Sequence, residues 1–168
     1  MFRLMLSVLL AADGGVTWNT RTVESVRVDF LDGAVTEAKW ESGGSTQFQV
    51  TETADGEKFR VNVRAEKAES LEAFRTERPG WKFEKVQTTK VCGVAAKKLV
   101  AKNPAQDLQC VESTDGTSGP MHIPARKAVA LVFSHRGLVV RVTLESEADR
   151  PGAHDAMFEH VLQSIRCE

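Results

Sequence analysis

Lys127 to Ile165 restricts the possible folds of this chain more than any other stretch. Val129, Leu131 and Phe133 alternate with Ala128, Ala130 and Val132, which is the period of a strand. His135-Arg136-Gly137 breaks the run, and Val140, Val142 and Leu144 resume a period of two beyond it. The two runs therefore read as a hairpin. After the acidic link Glu145 to Asp149 the period changes. Met157, Phe158, Val161, Leu162 and Ile165 fall on one stripe of a helix. A greasy hairpin followed by an amphipathic helix is best buried by laying the helix across the sheet.

The remainder supplies further strands. Val16 to Asn19 is a short strand or the start of the mature chain. Val26, Val28 and Phe30 alternate with Arg27 and Asp29, and Asp32-Gly33 is a strong hairpin signal because both residues tolerate positive φ. Ala34 to Glu41 is then expected to return beside that strand. Thr46 to Thr53 and Phe59 to Ala65 continue an antiparallel meander with one wet face. Ser70 can cap a helix over Leu71 to Arg78, stopped by Pro79-Gly80. Strand signals return over Trp81 to Val86, Val91 to Ala101 and Leu108 to Glu112, and Ser113 to Pro124 reads as a long loop. No repeat or linker divides the chain. The expectation is one α+β domain over 13–168: an antiparallel β-sheet of about six to eight strands, with a middle helix and a C-terminal helix packed on it.

Met1 to Ala12 stands apart. Arg3 gives one positive charge, Leu4 to Leu10 is apolar except for Ser7, and Ala11-Ala12 precedes the polar Asp13-Gly14-Gly15. This is the three-part pattern of a secretory signal, too short for a membrane span of ~20 apolar residues. The reading is export to the periplasm or outside the cell; the alternative is a cytoplasmic protein that keeps Leu4 to Leu10 as a strand. Formal net charge is −1 over 168 residues with the two signs interleaved. That balance removes the basic stripe a nucleic-acid binder needs.

The run Thr88 to Leu99, with Val91-Cys92-Gly93-Val94-Ala95-Ala96 at its centre, is similar to the "valine, glycine, two small residues, apolar" strand of the PsbP-like superfamily. Ser70 to Phe74 resembles the middle helix of that superfamily. Met157 to Ile165 resembles its closing helix, which typically ends in a "leucine, x, serine, aromatic or apolar" step, here Leu162-Gln163-Ser164-Ile165. The proline-glycine-tryptophan entry departs from the family order, since Pro79-Gly80-Trp81 comes late. The resemblance implies an antiparallel sheet flanked by helices, no built-in catalytic centre, and an accessory, assembly or chaperone-like binding role, often exported.

The residues offer little chemistry of their own. Phosphate loops, HExxH, CxxC and GxSxG are all missing. His154 and His160 cannot chelate one ion together, and with Asp155 and Glu159 they read as the solvated face of the closing helix. The expectation is no catalytic residue, no metal and no cofactor. Met121, His122 and Ile123, an apolar tip between Pro120 and Pro124, form the candidate binding site of the long loop. The packing alternative is that Met121 and Ile123 fold back over the sheet. Trp18, Trp40 and Trp81 read as packing residues.

Cys92, Cys110 and Cys167 allow at most one disulfide. A hairpin centred on Pro104-Ala105 would pair Ala101 with Leu108 and leave Cys92 ~23 Å from Cys110. That is too far for a bridge unless Gly93 folds the strand back. Cys167, past a helix that must cross the sheet, is a rival partner for either. The functional expectation is a non-enzymatic exported binding or accessory domain whose partner is another protein, with ligand and oligomeric state open. The alternative is a cytosolic secretion chaperone or adaptor of the same fold.

Overall fold

The order of elements along the chain is β1 (Thr17–Val23), β2 (Val26–Asp32), β3 (Val35–Glu41), β4 (Thr46–Glu52), β5 (Lys58–Glu66), α1 (Leu71–Thr76), β6 (Lys82–Phe83), β7 (Gln87–Val91), β8 (Val94–Asn103), β9 (Gln106–Glu112), β10 (Ser118–Ile123), β11 (Arg126–His135), β12 (Leu138–Glu147), α2 (Asp155–Ser164) and β13 (Arg166–Cys167). The computed structural model describes residues 17–32, 35–41, 46–52, 56–66, 71–112, 116 and 118–168, without the side chains of 35–38, 40–41, 110–112 and 118. The expected signal segment, Met1 to Ala12, the Gly33 turn and the capping Ser70 lie outside the described residues.

The main sheet is antiparallel and eight-stranded, in the order β3-β4-β5-β12-β11-β8-β6, with β7 also paired to β8. At its centre is the hairpin the sequence marks most clearly. β11 and β12 pair from Arg126↔Glu147 to His135↔Leu138, and Arg136 and Gly137 carry the positive φ of their turn (49° and 77°). β11 is buried on both faces. Val129, Leu131 and Phe133 enter one core with Phe59, Val61, Val140, Val142 and Leu144, while Ala128, Ala130 and Val132 enter a second with Leu99 and Ala101.

Each face has its own cover. Leu71 and Phe74 of α1 close the second core. The first is closed by Phe158, Val161 and Ile165 at α2, together with Val26, Val28 and Phe30 of β2. β2 belongs to a separate three-stranded sheet, β1-β2-β13. The Asp29 N–H donates to Ser164 Oγ (2.9 Å), so the serine of the closing helix ties α2 to β2. Trp18 stacks on His160 with ring centroids 3.9 Å apart, and His160 Nε2 lies 3.0 Å from Asp29 Oδ2. Trp81 packs partly buried against the second core, while the Trp40 side chain is outside the described set.

Three expectations change. β2 does not pair with the strand after Asp32-Gly33. It pairs with β1 and β13, and β3 pairs with β4, so that link passes between sheets. The Pro104-Ala105 link does not close a β8–β9 hairpin. Ala101 faces Ala128 of β11, and Leu108 faces Met121 of β10. Helix also covers less than expected, because α1 has six residues, α2 has ten, and a second sheet shares one face.

Candidate functional site

Ser118–Ile123, expected within a loop, is β10. It pairs antiparallel with β9 to form a two-stranded ribbon apart from both other sheets. The register shifts between Gly119 and Met121, where Pro120 has no N–H to give the ladder. Beyond the shift, Met121 faces Leu108, and the two side chains are 48% and 40% exposed. Ile123, opposite Gln106, is half-buried. The candidate residues therefore share one strand, with Met121 outward and not folded onto the sheet.

His122 fixes the root of this ribbon. Its Nδ1 lies 2.6 Å from Asp107 Oδ1 across the ladder, and its Nε2 lies 2.7 Å from Asp149 Oδ2 in the segment after β12. Asp149 Oδ1 also accepts the Ala125 N–H at 3.4 Å. The hydrogen bonds to Asp107 and then Asp149 raise the His122 pKa above its usual 6.5. The same bond from His122 holds Asp149 below its usual 3.8. Sequence reading singled out His122 but not the two carboxylates, which lie 15 and 27 positions away.

The segment that His122 grips borders a hollow of about 460 Å³, which runs from Asn103-Pro104 past Ala125 to the first turn of α2. Ser146 and His154 form part of its wall. Ser146 Oγ lies 2.5 Å from His154 Nδ1, and Glu57 Oε2 lies 3.7 Å from the other ring nitrogen. Burial lowers the His154 pKa, and the Glu57 charge opposes that only in part. Ser146 and His154 are each more than nine-tenths buried. A separation of 3.7 Å is not a hydrogen bond, so Glu57 does not orient the ring as an activating triad requires. The pair satisfies two polar groups at the rim of the core. The expected solvated position of His154 is thus corrected: it precedes α2 as the N-cap and packs edge-on to Phe59 at 5.6 Å.

The open half of the α1 face is polar. Arg141, only 2% exposed, reaches Glu77 at 2.9 Å, and Arg78 reaches Glu145 at 2.8 Å while lying 4.1 Å over the Phe74 ring. Arg60 joins Glu145 and Glu147 at 3.1 and 2.6 Å. These strands alternate apolar-in with charge-out, and the acids consume the arginines.

Of the three cysteines, Cys92 and Cys167 are joined by a disulfide, with Cα atoms 5.6 Å apart. Cys92 and Gly93 form the two-residue turn between β7 and β8, with φ of 53° and 76°. The strand does fold back at Gly93, but toward Cys167 of β13. Cys110 lies in β9, and its side chain is outside the described set. Among the described residues, no three His, Cys, Asp or Glu side chains gather as a metal site, and no helix is long and apolar enough to cross a membrane.

No family model matches the chain, and no curated protein sequence does. Among solved structures it is similar to cyanobacterial PsbP (CyanoP) from Synechocystis sp. PCC 6803, with a TM-score of 0.50 and 14% identity over 95% of this chain and 99% of that one. LpqN of Mycobacterium tuberculosis, a protein involved in cell envelope biogenesis, aligns at a TM-score of 0.41 and 12% identity, over 94% of this chain and 86% of that one. At these identities the likeness speaks to fold, and the fold is PsbP-like.

Proposed function

We propose, from the premise of a PsbP-like fold, that this chain is a non-enzymatic accessory domain that acts outside the cytoplasm and holds a partner protein through the β9–β10 ribbon. The observation that carries the reading is the exposed cross-strand pair Met121–Leu108, on a ribbon that extends neither of the other sheets among the described residues. A flexible thioether beside a leucine is an adaptable apolar contact, and a ribbon leaves backbone groups for a partner strand. His122 sets the angle of the ribbon by joining it to Asp149. Two features support export: the three-part pattern of Met1 to Ala12, and the Cys92–Cys167 bridge, a bond that persists in oxidising compartments. That bridge also weighs against the cytosolic chaperone alternative.

In-cell photo-crosslinking tests the ribbon. A crosslinker at position 121 is expected to trap a discrete protein adduct that Leu108→Asp abolishes. The same group at Val94, also 40% exposed but on the β7–β8 hairpin, is expected to trap none. Equal adducts from both positions, or none from position 121, would remove the ribbon as the binding surface.

A further inference from the structure

We propose that the hollow beside the first turn of α2 binds an organic anion with an apolar body, such as a medium-chain carboxylate or an alkyl phosphate. Lys82, Lys102, Arg126, Lys127 and Arg150 line it, against one lining carboxylate, Asp155, among the described residues. They come from β6, the end of β8, the start of β11 and the segment before α2, so the fold gathers these charges from four separate stretches. Three are engaged: Lys102 with Glu84 at 2.6 Å, Lys127 with Asp155 at 2.5 Å, and Arg126 with Glu147 at 3.6 Å. Lys82 and Arg150 form no ion pair among the described residues. Arg126 Nε is buried with no hydrogen-bond partner among the described residues.

The walls separate this hollow from an ordinary lysine-rich surface. Pro104, Ala148, Pro151 and Phe158 give it an apolar lining between the cations. Charges beside a low-dielectric wall attract an anion more strongly than charges in open water. His154 on the same wall is held toward its neutral form by burial, so the positive charge of the hollow comes from its lysines and arginines. The volume of about 460 Å³ is within the range of small-molecule sites. An inorganic anion would leave the apolar walls uncovered, and a neutral hydrocarbon would leave the cations without a counter-charge. The occupant that satisfies both carries its charge at one end.

Calorimetric titration of the intact protein with monomeric decanoate tests this, with decyl maltoside, inorganic phosphate and phosphatidylglycerol vesicles as the other arms. Decanoate is expected to bind at one equivalent. K82E/R150E, which alters two exposed side chains, should weaken it by about tenfold or more with an unchanged melting temperature, as loss of charge-assisted bonds predicts. Ala153→Phe should block binding while every charge remains. Decyl maltoside or phosphate binding as tightly as decanoate would overturn the proposal. So would unchanged decanoate affinity in K82E/R150E, or binding to vesicles without binding of the monomer.

Discussion

The pKa values of His122 and His154 are displaced in opposite directions from the ordinary histidine value, by hydrogen bonds to carboxylates and by burial respectively, and their effects on stability oppose one another. The raised pKa of His122 means that the folded chain holds the proton more tightly than the unfolded one. Its contribution is complete below 6.5 and is lost as pH rises through the raised value. Asp149 contributes above 3.8, and that share is lost as pH falls through its depressed value. Between those limits the shifted groups His122 and Asp149 both contribute in full. His154 acts the other way. The unfolded chain takes up its proton first, so folding weakens as pH falls below 6.5 toward the depressed value. An NMR titration should find the His122 midpoint above 6.5 and that of His154 below it, and His154→Gln should reduce the loss of stability on that acidic side. Midpoints in the reverse order would contradict both placements. The sequence showed His122 as a candidate but hid its clamp, because Asp107 and Asp149 meet it only through tertiary structure. A helical wheel places His154 on the solvated face of α2, whereas at φ −114° and ψ 16° it precedes the helix.

Among the elements, the legible ones carry their period and their turn locally. β11, β12 and α2 are examples. Phe158 falls on the predicted stripe, is 3% exposed, and meets Phe59 edge-on at 5.3 Å. Phe158→Ala should cost ~3–5 kcal/mol, read as a lowered melting temperature or denaturant midpoint. An unchanged value would show that α2 does not seal this core. Pairing was less legible than strand identity. Asp32-Gly33 and Pro104-Ala105 both read as hairpin turns, yet each joins strands of different sheets. A turn signal reports that the chain reverses, while the partner is chosen by which faces can be buried together. β8 illustrates this. Leu99 and Ala101 are almost fully buried because β11 lies beside them, and the polar β9 could not have supplied that cover. β10 reads as loop in the sequence because Gly119 and Pro120 are turn residues by composition, and in the fold they mark a register shift in a ribbon.

On the scale of the molecule, two covers close over one sheet, and the Cys92–Cys167 bridge pins one of them. It links the β7–β8 turn on the main sheet to β13 on the small one, across 75 positions of sequence. By chain entropy, closing a loop of that length is worth about 4 kcal/mol. The bridge also joins the architecture to the proposed setting, since a bond of this kind survives where glutathione does not reduce it. If the chain is exported as proposed, the mature protein has lost Met1 to Ala12 and gained this bond together. The most direct measurement is intact-mass and non-reducing peptide analysis of the protein from its native cells. The expected result is a chain beginning near Asp13, with Cys92 and Cys167 linked and Cys110 free. A chain retaining Met1 with three free thiols would contradict the account.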